Sequence, residues 1–336
     1  MPNVTVHLWL AERTLEAWAM APASAPFPLE DPFLIQGFQQ GALAPDLGYF
    51  PGGRPFLSDL AHCVRTGQLA RAVLRNARTD LERAYAWGWV THVLADRLLH
   101  PAVGRGVGEL ILGDRHRMIS GDENLPAHVR VEIGLDAWVS ARQPHLVRTP
   151  LSPVFHGGSV GFLARAYAET YRLAIDETLL LTGYLGTLRM GERALRSIAV
   201  LGGGRDVVDG AIGPASRTLG AVAGWLGRRQ GVPGSLLLSY LSPVPPSPWL
   251  QAEALEVARV FPRQVLEIQG DPESGLPDVN LDTGRVEGSG PPHGTRDRTL
   301  RALERLGVGF PPEGREGATG VNGEPAERLL PYPGSA

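Results

Sequence analysis

The stretch from Ala86 to Pro101, AWGWVTHVLADRLLHP, constrains this chain more than any other. It carries His92, Asp96 and His100, each four residues after the last. Four residues is about one helical turn, so a helix here sets all three side chains on one face. Trp87, Trp89, Val93, Leu94, Leu98 and Leu99 crowd the same segment, which predicts a core helix. A buried stripe of imidazole, carboxylate and imidazole must be hydrogen-bonded or bound to a metal. Nitrogen and hard oxygen donors in this mix suit zinc. The bland alternative is a hydrogen-bonded core network, and for a single His it is the better reading.

A second segment repeats the spacing. Pro126 suits the first turn of a helix, and that helix carries His128, Glu132 and Asp136, again at i, i+4 and i+8. The repetition on two neighbouring helices favours metal over a plain polar network. Cys63 is the one cysteine, which excludes an internal disulfide and any Cys-rich zinc module. Metal ligands must then be His, Asp and Glu. A formal net charge of -3 gives no strong field toward nucleic acid or an anionic membrane surface. All 32 basic residues are arginine, which a genomic bias explains as well as function does. No uncharged apolar run reaches about 18 residues, so no membrane span is expected. The N-terminus has none of the marks of a secretory signal, so a cytoplasmic location is expected.

Taken in order, the chain opens with a short apolar stretch, Val4 to Trp9, and a helix then reads from Glu12 to Met20; His7, taken alone, is a residue at a helix entry. A Pro-rich loop and a short helix from Phe33 to Ala42 lead into GALAPDLGYFPGG. Pro45 and the glycines there force an irregular path, and Asp46, taken alone, is as readily a turn residue as a functional one. A helix capped by Ser58 would carry His62. Thr79 and Glu82 form a capping box that opens the central helix, and Pro101 is expected to end it. Residues 101–125 read as a long glycine-rich connection holding a surface residue, His116, and either a lid or disorder. Helical patterns follow over residues 159–201, then more weakly over Leu219 to Arg229 and Leu250 to Phe261. From about Gly270 the chain is rich in Gly, Pro and charge and is expected to be mostly disordered or loosely docked, with one amphipathic stretch at Thr299 to Leu306. The fold class is mainly α. The organisation expected is a helical domain over 1–204, a further helical region over 205–269 and a tail over 270–336.

As a set, His7, Asp46 in APD, His62, His92-x3-Asp96-x3-His100-Pro101 and His128-x3-Glu132 resemble the zinc-dependent phospholipase C family, which shares its fold with the S1/P1 nucleases. The resemblance runs from about residue 5 to residue 140, and the helices to about 200 would complete the domain. It implies a helical bundle of the phospholipase C / P1 nuclease type, with up to three zinc ions at the bottom of a cleft. It implies that Asp46, His62 and His92 hold one zinc. Asp96 would bridge this zinc to a second, which His7 also binds. His100, His128 and Glu132 would hold the third. Beyond what the resemblance implies, the pair Glu132 and Asp136 would leave Asp136 to orient His128. The chain departs from the secreted members, whose mature first residue is itself a ligand; here six residues precede His7. The spacing from Asp96 to the next His is shorter than in the secreted bacterial phospholipases and similar to that of the phosphatidylinositol-glycan-specific phospholipase D branch.

Such a centre is expected to hydrolyse phosphodiesters, with Asp46 as both ligand and general base. Arg105 and Arg115 are candidates to touch the phosphate. Trp9, Phe38, Tyr49 and Phe50 would supply an apolar approach for a phospholipid, with peripheral lipid contact. Single-stranded nucleic acid needs stacking aromatics with a basic groove, so the charge balance favours a phospholipid or small phosphodiester and no stable nucleic-acid partner. The alternatives are an S1/P1-like nuclease and a non-catalytic zinc-stabilised helical module that binds a ligand or partner.

Overall fold

The structure is a computed structural model that describes residues 4–157, 159–203 and 242–309. The helices longer than two turns are α1 (Val4–Met20), α2 (Pro32–Gly41), α3 (Pro55–Cys63), α4 (Thr66–Asn76), α5 (Asp80–Leu112), α6 (Leu125–Arg142), α7 (Gly161–Tyr171), α8 (Glu177–Gly203), α9 (Pro248–Gly270) and α10 (Gly294–Arg305), and a single helical turn, Pro272–Gly275, follows α9. Among the described residues the one sheet is an antiparallel hairpin of β1 (Val279–Asn280) and β2 (Arg285–Val286). The protein is mainly α.

Helix α5 is the axis. Its 33 residues span about 50 Å. The Thr79–Glu82 capping box opens it, as the sequence predicts. From Ala84 to Asp96 every residue is buried, the mark of a helix enclosed on all sides. Helices α1, α2, α4, α6 and α9 pack around it. The crossing with α2 is close: a Cβ on Gly88 would lie 2.1 Å from the Phe38 carbonyl oxygen. Gly88 therefore admits another backbone, and that crossing brings the end of α2 against His92.

Pro101 does not end α5; the helix runs on to Leu112 and stops at the left-handed Gly113. An internal proline costs about 3 kcal/mol. Beyond it Ala102, Val103 and Val107 are buried against Ala127, Val131 and Leu250, and each valine buried gains roughly 1.5–3 kcal/mol. The packing outweighs the missing hydrogen bond. The loop expected over 101–125 shrinks accordingly to the stretch between Gly113 and Asn124, where His116 is exposed.

Three other expectations change. Val4–Trp9 and Glu12–Met20 are one helix, because His7 faces a polar interior and does not interrupt the buried face. Helix α3 starts at Pro55, and Ser58 lies inside it, its hydroxyl donating to the Pro45 carbonyl and accepting from the Gly48 amide. The segment after Gly270 is structured as far as residue 309: the hairpin and α10 follow α9, with Leu276, Val279, Leu281 and Leu303 in the main core. Leu219 to Arg229 and residues 310–336 lie outside the described residues.

Candidate metal centre

Four helices and one short turn deliver the polar cluster. His7 comes from the first turns of α1, and Asp46 from the 3-10 turn Ala44–Gly48, which Ser58 clamps from both ends. His62 comes from α3, held in turn by the Tyr171 hydroxyl, which donates to the Leu60 and Val64 carbonyls. His92, Asp96 and His100 project from α5, and His128 and Glu132 from α6. All eight side chains are buried.

Asp96 sits at the centre. Its Oδ1 lies 3.3 Å from Nε2 of both His7 and His100. Its Oδ2 lies 3.1 Å from Nε2 of His92 and 3.4 Å from that of His62. His62 Nε2 is also 3.3 Å from Asp46 Oδ1. On the other flank, Glu132 Oε1 lies 3.2 Å from His128 Nε2 and 3.4 Å from His100 Nε2. The His7 and His92 rings stack, centroids 4.0 Å apart. Donor atoms within 4.8 Å of one another form three groups: His7, His92 and Asp96; Asp46, His62 and His92; His100, His128 and Glu132.

Helix geometry explains why one stripe serves several groups. Eight residues turn about 800°, two full turns plus roughly 80°. His92 and His100 therefore diverge to either side of Asp96. The same drift on α6 carries Asp136 away from His128. Asp136 does not orient His128: its Oδ1 accepts the Val6 amide at 2.9 Å and so anchors the start of α1, next to His7.

Main-chain carbonyls set the imidazole tautomers. Nδ1 of His62 meets the Ser58 carbonyl at 2.7 Å, that of His92 the Ala42 carbonyl at 2.9 Å, and that of His100 the Leu281 carbonyl at 2.8 Å. A carbonyl only accepts, so each ring keeps its hydrogen on Nδ1 and points Nε2 inward, where it holds either a proton or a metal. His62 Nε2 and His92 Nε2 stand 3.2 Å apart. Two ring nitrogens at that distance, beside two carboxylates, must share a proton or a metal ion, since two bare lone pairs would repel.

Charges respond accordingly. Burial disfavours charge on His62, but Asp46 and Asp96 outweigh it and raise its pKa to about 10. His100 rises to about 9 against the same burial, through Asp96 and Glu132. His7 falls to about 4, because burial and His92 outweigh Asp96. Burial would raise Asp46, Asp96 and Glu132, yet surrounding positive charge, these imidazoles included, holds all three well below the usual carboxylate range. Ionised carboxylates facing inward imidazole nitrogens, with no sulfur, form the donor set zinc takes. The residues present fit zinc.

The family model described as zinc-dependent phospholipase C matches residues 6–177, a little over half of the chain. The chain belongs to the zinc-dependent phospholipase C family. No curated protein and no solved structure matches it. The matched region contains every residue of the cluster, whereas the hairpin and α10 lie beyond it.

Other expected contributors sit elsewhere. Arg105 reaches Glu253 on α9 at 2.7 Å and lies over the Trp249 ring, so it faces away from the cluster. Arg115 is on the exposed turn after α5. Trp9 and Phe38 are core residues and offer no approach surface. Tyr49 and Phe50 are half-buried, and the Tyr49 ring lies 5.6 Å from the His62 ring. Sequence reasoning missed the main-chain carbonyls of Ser58, Ala42 and Leu281, which carry no residue-type signal. No helix among the described residues is long and apolar enough to cross a membrane.

Proposed function

We propose that this member of the zinc-dependent phospholipase C family is a phosphodiester hydrolase. Its substrate is a phospholipid or a small phosphodiester, and its cluster holds up to three zinc ions. The observation that carries the reading is the convergence of inward-facing imidazole nitrogens on ionised carboxylates, in three groups of the size that binds a metal. His7, Asp46, His62, His92, Asp96, His100, His128 and Glu132 would be the ligands. Bound zinc supplies Lewis acidity toward a phosphoryl oxygen and toward water.

The chain's own residues do the rest. Asp96 links the groups through both oxygens. The Ser58, Ala42 and Leu281 carbonyls hold three rings in the ligand tautomer. Asp46, kept ionised, accepts a hydrogen bond from the attacking water and orients it. Its rigid turn, fixed by Ser58, keeps that acceptor in register. A net charge of -3 supports a lipid or small diester over a polynucleotide.

The test is hydrolysis of a chromogenic phosphocholine ester and of a nucleotide diester by zinc-loaded protein. Turnover of the phosphocholine ester, with Asp46→Asn lowering kcat roughly 10²–10⁴-fold, is the expected result. A fully metallated chain inert toward both substrates would leave a zinc-stabilised binding module in place of the enzyme.

A further inference from the structure

The residues after the family match touch the cluster at two places. Leu281, the residue after β1, uses both of its main-chain groups. Its amide donates to the His62 carbonyl at 2.7 Å. Its carbonyl accepts from His100 Nδ1 at 2.8 Å. One fully buried residue thus ties α3 to α5 and fixes the ring of His100.

The next residue holds this contact in place. Asp282 Oδ1 accepts the Gly121 amide at 2.7 Å, and Oδ2 accepts the Asp122 amide at 3.0 Å and His293 Nε2 at 2.8 Å. Gly121 and Asp122 belong to the loop that leads into α6, the helix of His128 and Glu132. Asp122 in turn accepts the Gly294 amide at 2.7 Å, at the start of α10. Asp282 therefore joins the hairpin to the loop before α6 and to α10, while Leu281 joins it to α3 and α5.

We propose that the hairpin segment Asn280–Gly284 is a positioning element for the His100, His128 and Glu132 zinc position, with Leu281 as the carbonyl partner of His100 and Asp282 as the clamp that seats it. The inference rests on the zinc reading above. A hydrogen-bonded carbonyl on Nδ1 fixes the tautomer and raises the basicity of the ligating nitrogen, and loss of such a partner typically costs 10–100-fold in metal affinity. The segment supplies no ligand itself and acts through His100.

Asp282→Ala tests this. Zinc content and zinc affinity are read by competition with a chelator, and the His100 ring by long-range ¹⁵N spectra. The expected result is that one zinc per chain is released roughly 10–100-fold more readily, the remainder are unchanged, and the His100 Nδ1 hydrogen loses its protection from exchange while that of His92 keeps it. Thr79→Ala, which removes the cap of α5 far from the cluster, serves as the stability control and leaves both readouts unchanged. Should Asp282→Ala not fold, Asp282→Asn keeps one acceptor oxygen and carries the same readouts. Unchanged affinity at every position with a still-protected His100 hydrogen overturns the proposal and leaves the zinc reading standing. If the wild-type chain takes up no zinc, that reading fails, and the His100 spectrum alone decides whether the hairpin holds the ring.

Discussion

Asp96 is the residue through which the cluster is connected. Its oxygens lie 3.1–3.4 Å from the Nε2 atoms of His7, His62, His92 and His100, residues on three helices. His92 and His100 reach it by the turn-to-turn spacing of α5 alone. His7 and His62 reach it only because other helices are pinned, α1 by Asp136 and α3 by Tyr171. Asp96→Asn keeps the volume and removes the charge. The outcome expected is loss of at least one zinc per chain by elemental analysis, with a fall in affinity beyond the roughly 10–100-fold typical of an indirect partner. Phosphodiesterase activity falls with it. Full zinc content with unchanged activity in Asp96→Asn would remove Asp96 from the centre.

Helix α5 shows what a pattern of residues does and does not dictate. Its start follows from a local capping box, and its polar stripe follows from periodicity, so both were legible. Its end was not, because the penalty at Pro101 is local while the burial of Val103 and Val107 depends on α6 and α9. The hairpin was misread for a related reason: its Gly, Pro and charged residues resemble a disordered tail, whereas Asn280 and Thr283 bond within the turn and Asp282 bonds outside it. Gly284 shows how tightly this element is seated on α5. It has φ 68°, and a Cβ there would lie 2.6 Å from Pro101 Cγ and 2.9 Å from the Arg97 carbonyl oxygen. Backbone strain of about 1–3 kcal/mol and the steric clash act together. Gly284→Ala is therefore expected to lower stability by roughly 2 kcal/mol or more in denaturant melts. A change below about 0.5 kcal/mol would mean that the hairpin is not pressed onto Pro101.

Across the whole molecule, the proposed zinc cluster is expected to make stability depend on zinc and on pH with opposite signs. Without zinc, His62 and His100 are charged partners of the carboxylates, with pKa values near 10 and 9 against an ordinary 6.5. Groups raised in this way contribute stability that is complete below about pH 6.5 and is lost as pH climbs through 9 to 10. His7, lowered to about 4, opposes this only below its ordinary range, as pH falls from about 6.5 toward 4. The depressed Asp46, Asp96 and Glu132 contribute at all pH values above the usual carboxylate range, so they are constant from pH 6.5 upward. With zinc, the same rings must give up their protons, and apparent affinity rises about tenfold per pH unit for each proton displaced. Saturation at 100 times Kd adds about 2.7 kcal/mol per site. The zinc-free protein therefore loses Tm between pH 6.5 and 9, while the zinc-loaded protein holds or gains it. Paired melts with and without chelator across that range check this. A gap in Tm that stays flat or narrows toward pH 9 would show that zinc does not displace the protons shared between these imidazoles and Asp96.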